Sequence, residues 1–195
     1  MIDQFKDYYE LLSHWNKRIK LVSKIDDFES FKSEHIDDAT EVCKFLSDAN
    51  SLLDIGTGAG IPGILIKIVR PQIRITLLDS TRKKISFCEE AIRKLRLEGI
   101  EAVWGRAEDK GTVNKLGCFD TIISRATWSL LEYLPIAAPY MCGPSSKIIA
   151  MKGPKWQKEL TDAQNELKRL NLKVVDTHEY QINSKHRCMV IIGQH

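Results

Sequence analysis

The chain has 195 residues, of which 43% are hydrophobic and 28% charged, and carries a net charge of +3. At that size one domain can bury a core without disulfides or metals, and the balance excludes disordered and collagen-like sequence. No apolar run approaches the roughly 20 residues of a membrane helix, and the charge is too mild to name a nucleic-acid partner by itself.

The opening Met1-Ile2-Asp3-Gln4-Phe5-Lys6-Asp7 has neither a basic start nor an apolar signal core, so the expected location is the cytoplasm. Cys43, Cys88, Cys118, Cys142 and Cys188 are odd in number and far apart, with no Cys-x-x-Cys pair or nearby His at ligand spacing. They are read as reduced core thiols, and no metal is expected.

In chain order, Phe5, Tyr8, Leu12, Trp15 and Ile19 recur at three- and four-residue intervals, the period of an amphipathic helix. A second helical segment covers 28–45. At Ser51 the texture changes to short β-branched runs separated by Gly, Pro and helical stretches. This divides the chain into an N-terminal helical extension, 1–50, and an α/β domain, 51–195. Strands are predicted at 52–55, 73–78, 100–104, 121–123, 148–151, 172–175 and 188–192, with helices at 61–69, 82–95, 129–140 and 156–170. The alternation implies a Rossmann-like, seven-stranded, mostly parallel α/β sheet. The stretch between Val175 and Cys188 is too short and polar for a crossover helix, so it reads as a turn that leaves the last strand antiparallel.

The sharpest motif is Asp54-Ile55-Gly56-Thr57-Gly58-Ala59-Gly60-Ile61-Pro62-Gly63, between the first predicted strand and the helix after it. Glycines there allow a tight turn and close approach of backbone to ligand. Asp79, at the end of the second strand, stands where an acid accepts hydrogen bonds from ribose hydroxyls. Gly58, Gly60 and Gly63 also satisfy the dinucleotide pattern Gly-x-Gly-x-x-Gly, so a nicotinamide cofactor is the alternative. Asp54 argues against it, because a carboxylate just upstream serves a pyrophosphate poorly and an ammonium-bearing ligand well. The cofactor expected is S-adenosyl-L-methionine, bound by Asp54, Gly56, Gly58, Gly60 and Asp79, with S-adenosyl-L-homocysteine as product.

Trp15-Asn16, His35 with Asp38, the stretch from Leu53 to Gly63, Asp79-Ser80, Lys83-Lys84, Gly105-Arg106-Ala107-Glu108, Ser124-Arg125-Ala126 and Lys152-Gly153 together resemble the bacterial small-subunit (16S) ribosomal RNA guanine-N7 methyltransferase family, also called glucose-inhibited division protein B. The resemblance spans nearly the whole chain. It implies a class I S-adenosylmethionine-dependent methyltransferase acting on N7 of a guanine in 16S ribosomal RNA, with that RNA as partner. It also implies that Gly56 and Ile61 line the methionine side of the cofactor, that Ala107 and Glu108 meet the adenine, and that Arg125 lies at the reaction end. The chain departs from the family at Lys20-Leu21-Val22-Ser23, where Asn-Leu-Thr is usual, and at its end, Gly193-Gln194-His195.

Guanine N7 presents a free lone pair on the major-groove edge, so methylating it needs alignment and no general base. The segment Ser124-Arg125-Ala126-Thr127 accordingly lacks the Asn/Asp-Pro-Pro-aromatic motif of enzymes that attack exocyclic amines. Arg125 and Arg106 are the catalytic candidates, orienting the base through O6 or a phosphate; the competing reading of each is a structural ion pair. Lys152 is read as a phosphate contact or an ordinary surface lysine, and Trp15 as helix core or a stacking partner. His35 and Asp38, three residues apart, share a helix face and either cover the cofactor or serve the core. Lys17, Arg18, Lys20 and Lys24 with Arg82, Lys83 and Lys84 form a phosphate-tracking face or plain solvated charge. Competing functions are a small-molecule methyltransferase, a nicotinamide-dependent Rossmann enzyme and a silent RNA-binding module; the enzyme is expected to be monomeric.

Overall fold

A computed structural model describes residues 2–23, 26–47, 49–125 and 128–195. Lys24, Ala126 and Thr127, which figure in the basic cluster and the Ser-Arg-Ala-Thr segment, lie outside them.

The first helix, α1 (Ile2–Asn16), buries Phe5, Tyr8, Leu11 and Leu12, the face its spacing predicts. It is followed by a turn pinned by Asn16, whose Oδ1 accepts from the Leu21 and Val22 amides at 2.8 and 3.1 Å. The helical segment at 28–45 is a composite: α2 (Phe28–Phe31), capped by Asp27, a π turn (Lys32–Ile36), and α3 (Asp37–Cys43).

The strands β1 (Ser51–Ile55), β2 (Arg74–Asp79), β3 (Ile100–Trp104), β4 (Thr121–Arg125), β5 (Lys147–Lys152), β6 (Leu172–Ile182) and β7 (Lys185–Gln194) form one sheet in the order β3-β2-β1-β4-β5-β7-β6. The pairings among β1 to β5 are parallel, and β7 runs antiparallel to both β5 and β6. The expected topology therefore holds, but β6 is nearly three times and β7 twice the predicted length. They close on a two-residue turn, Asn183-Ser184, with φ of 48° and 62°, the left-handed pair that matches the twist of a hairpin. The polar outer face of this hairpin hides its strands from a reading based on apolar runs.

Between the strands lie α4 (Gly63–Val69), α5 (Arg82–Lys94), α6 (Lys110–Leu116), α7 (Leu130–Ala137), α8 (Trp156–Asp162) and α9 (Gln164–Arg169). The first of these starts two residues later than predicted, because Ile61 and Pro62 belong to the glycine loop. No residue of α6 is buried, so it leaves no apolar stripe, and the sequence reading passes over it. Alternate strand residues face opposite layers. Leu52, Leu77 and Ile123 pack with α1 to α5, including Tyr8, Phe31 and Val42 of the first fifty residues, whereas Leu53, Leu78 and Ile122 pack against Tyr133 and Leu134 of α7.

One expectation is overturned. Cys118 and Cys142 form a disulfide, with Cα atoms 4.8 Å apart, and only Cys43, Cys88 and Cys188 are free buried thiols. A bridge between Phe119 and Met141 brings the two segments together, a tertiary contact that cysteine spacing does not reveal. No helix is long and apolar enough to span a membrane, and no metal-binding cluster occurs among the described residues.

Candidate functional site

The parallel strands end at one edge of the sheet, and there the loop between β1 and α4 turns through Gly56, Gly58 and Gly60 with φ of 69°, 60° and 78°. The loop is fixed from three sides. The amides of Gly56 and Thr57 donate to Leu78 O at 2.8 and 3.1 Å, the Gly58 amide donates to Asp79 Oδ2 at 2.9 Å, and the Tyr8 hydroxyl of α1 donates to Ala59 O. The glycines differ in purpose. A Cβ on Gly60 would lie 2.4 Å from Ile64 and one on Gly63 2.3 Å from Leu77, so both serve packing, whereas one on Gly58 would meet only Gly56 O at 3.9 Å.

Asp79 is 6% exposed. Its Oδ1 accepts from the Thr81 amide at 2.8 Å, and Lys84 Nζ stands 3.6 Å from its Oδ2. A carboxylate has about four lone-pair sites, so capacity remains for a ligand. Asp54 is buried; its Oδ2 accepts from Thr57 Oγ1 at 2.7 Å and from the Gly63 amide at 3.0 Å, while its Oδ1 has no hydrogen-bond partner. Burial pushes its pKa up to about 6, against the Thr57 and Gly63 bonds and the nearby Arg125, which lower it. A buried acceptor left without a donor is costly, and a cationic donor brought by a ligand is the kind of group that relieves it.

Gly56, Asp79, Ser80, Lys84, Arg106, Ala107, Glu108 and Trp128 line a cleft of about 360 Å³. A larger hollow of about 500 Å³, lined by Arg74, Gly99, Lys115 and Cys118, lies at the amino end of the strands. Open α/β sheets bind ligands at the carboxyl end, and the smaller cleft has the glycine loop and the acids. The structure thus brings Gly56, Asp79, Ala107, Glu108 and Arg106 together around one space. Gly58 and Asp54 sit directly behind it, and Ile61 is buried in the core with Ile64. Arg106 and Glu108 are exposed and paired at 3.2 Å.

Arg125 stands apart, at the end of β4 under the N-terminal helices. Its guanidinium lies 2.9 Å from His35 Nδ1 and 3.3 Å from Asp38 Oδ2. Asp38 also accepts from the Tyr180 hydroxyl of β6 and lies 3.8 Å from Arg187 of β7. Burial first, and Arg125 second, hold the His35 pKa down at about 3, so the ring is neutral near pH 7. Lys152 is neither exposed nor directed at solvent: it is 5% exposed, pairs with Glu159 at 2.9 Å and donates to Trp128 O. Trp15 packs edge-on to Phe87 and donates to Glu90 at 3.1 Å. With Arg18 of the turn after α1 and Lys83 of α5 it borders a second hollow of about 460 Å³.

The sequence reading missed three features. Trp128 lines the cleft and stacks on Tyr133, with centroids 6.2 Å apart; as a lone aromatic beside Ala126-Thr127 it gave no pattern. Tyr180 and Arg187 complete the Asp38 cluster from a hairpin that sequence placed in a turn.

Residues 1–188 match the family profile described as rRNA small subunit methyltransferase G. A ribosomal RNA small subunit methyltransferase G of Clostridium kluyveri is 34% identical over 193 residues, covering 97% of this chain and 81% of that one. Its counterpart in Clostridium botulinum (strain 657 / Type Ba4) is 37% identical over 195 residues, with the same coverage. Among solved structures, magnesium protoporphyrin IX methyltransferase from Synechocystis PCC 6803 with bound SAM superposes with a TM-score of 0.67 over 100% of this chain and 99% of that one. At 13% identity, that likeness shows the fold.

Proposed function

The chain belongs to the rRNA small subunit methyltransferase G family, and from that premise we propose that it methylates N7 of a guanine in 16S ribosomal RNA, using S-adenosylmethionine held in the cleft beside Asp79. The observation that carries the cofactor assignment is the buried Oδ1 of Asp54, which lacks a donor next to a loop whose Gly58 leaves room for a ligand. That combination fits a nucleoside bearing an ammonium group and disfavours the pyrophosphate of a nicotinamide dinucleotide.

When bound, S-adenosylmethionine supplies an electrophilic methyl group. Asp79 would accept from the ribose hydroxyls, Gly56 would border the methionine portion with Ile61 packed in the core behind the loop, and Ala107 and Glu108 would meet the adenine. Arg106, exposed at the mouth of the cleft, orients the guanine or its phosphate. Arg125, held between His35 and Asp38, sets the reaction end of the site. Among the described residues the cleft lining has no histidine or tyrosine, and His35 is too weak a base near pH 7. This suits a nucleophile that needs no proton removed. The enzyme works as a monomer in the cytoplasm, with residues 1–50 as a helical extension buttressing a methyltransferase domain at 51–195.

The test is to incubate the protein with labelled S-adenosylmethionine and unmodified 16S ribosomal RNA, naked or in the assembled subunit, and to map the label. Label at N7 of one guanine is expected. Label on an exocyclic amine or a ribose, or none on either substrate, overturns the proposal.

A further inference from the structure

Large apolar side chains exposed to solvent are few among the described residues, and Trp104 is the only aromatic one, at 55%. It is the last residue of β3, paired in register with Asp79, and the next two residues, Gly105 and Arg106, line the cofactor cleft. The ring is held in place: its Nε1 donates to Ser80 O at 2.9 Å, and the Arg82 guanidinium lies over it, 5.2 Å from the centroid. The indole is thus held by Arg82 over its ring and by Ser80 O at its nitrogen, and more than half of the residue still faces solvent.

We propose that Trp104, clamped by Arg82, is a stacking platform for an unpaired RNA base next to the target guanine. Three observations converge on that occupant. Trp104 is more than half exposed, and base–aromatic stacking on such a ring tolerates any base because every base has a π face. The surroundings are basic, with Arg82 and Lys83 opening α5 and Arg106 following the tryptophan, and this suits the phosphates on either side of a stacked base. Finally, Lys83, next to Arg82 in the chain, borders the hollow between α1 and α5 that is lined by Trp15, Arg18 and Glu90, so a second aromatic with cations beside it stands on the same helix pair. A ribosomal RNA segment must unstack its target base to reach a methyl donor set in a cleft, and an aromatic beside the mouth stabilises the flanking nucleotide in that opened state.

This inference rests on the RNA substrate proposed above, and its test separates the two. Short single-stranded RNA should quench the tryptophan fluorescence of the wild-type protein. Trp104→Phe should lose most of the quench while binding the RNA within about twofold of wild type, and Trp104→Ala should bind about tenfold more weakly, with an unchanged melting temperature. In methylation of naked 16S ribosomal RNA, Trp104→Ala should raise KM by a similar factor, with affinity for S-adenosylmethionine unaltered. A wild-type quench that persists in Trp104→Phe, or RNA affinity and KM that survive Trp104→Ala, overturns the platform and leaves the substrate standing. If the wild type methylates no ribosomal RNA, the substrate proposal falls, and the quench alone decides the platform. A defect confined to assembled subunits and absent on naked RNA points to a protein contact and likewise overturns it.

Discussion

The two flanks of the site are built from different materials. On the cofactor side the contacts run through backbone: the Gly58 and Thr81 amides converge on Asp79, and the Gly56 and Thr57 amides on Leu78 O. All of those groups come from residues 56–58 and 78–81. On the side of Arg125 the contacts run between side chains, and His35, Asp38, Arg125, Tyr180 and Arg187 arrive from the N-terminal helices, β4 and the terminal hairpin. A backbone site tolerates change in the residues that surround it and fails when its acid goes. A buried cluster in which Asp38 is the carboxylate shared by Arg125 and Arg187 has no such tolerance, because the like-charged arginines depend on it. The first flank is therefore the side proposed to bind the cofactor, and the second is a structural joint built around Asp38 and Arg125.

The sharpest break is expected at the joint. Asp38 is fully buried and lies between Arg125 and Arg187; Asp38→Ala leaves two guanidinium groups facing each other without their carboxylate. Removing one partner from a buried ion pair costs about 3 to 5 kcal/mol, which in a protein of this size lowers Tm by roughly 10 °C. Thermal melting checks it, and a fall of under about 3 °C would show that the joint contributes little.

On the cofactor side the same kind of change should act on affinity and spare most of the stability. Asp79→Ala removes the acceptor of the Gly58 and Thr81 amides together with the group proposed to hold the ribose. Loss of the ribose contact, about 1 to 3 kcal/mol, predicts roughly 5- to 150-fold weaker S-adenosylmethionine binding by calorimetry and a smaller drop in Tm than Asp38→Ala produces. Equal affinity in the variant, or a larger loss of stability than at Asp38, would erase the distinction between the flanks.

The same contrast governs what could be read from sequence. The glycine loop and Asp79 were legible because a tight turn and a strand-end acid are encoded within about twenty-five residues, and the alternation of β-branched runs and helical periods gave the sheet order its parallel core. The three-residue spacing from His35 to Asp38 correctly put both on one face, even across a π turn. What they face was not legible, since Tyr180 and Arg187 lie on a hairpin with alternately exposed residues that resembles a loop. Lys152 misled for a related reason: position after a strand suggests a ligand contact, and only tertiary structure brings Glu159 to it. Trp104 and Trp128 carry no spacing signal, and their place at the cleft follows from where β3 and β4 end.

The smallest expected effect, on pH dependence, tests whether Asp54 belongs to the binding flank at all. Its pKa is pushed up from the ordinary 3.8 to about 6, by burial above all and with Asp79 adding to the shift, while Thr57, Gly63 and Arg125 oppose it. In the unfolded chain the group ionises near its ordinary value, so between those two values the folded state holds the proton more tightly. Its contribution to stability therefore falls as pH rises through that window and levels off above it. Ligand binding should run the other way. An ammonium group is attracted only to the ionised form, so affinity for S-adenosylmethionine rises as Asp54 loses its proton and should be roughly fourfold weaker at pH 5.5 than at pH 7. His35 adds no slope in the folded state there, because its pKa is about 3. Calorimetry across that range on the wild type and on Asp54→Asn decides the matter. The asparagine keeps a carbonyl for the Thr57 hydroxyl and the Gly63 amide but cannot ionise, so its binding should be weaker and flat with pH. A flat profile in the wild type would mean that Asp54 only anchors the loop, and that the ammonium is held by backbone carbonyls of the glycine turn.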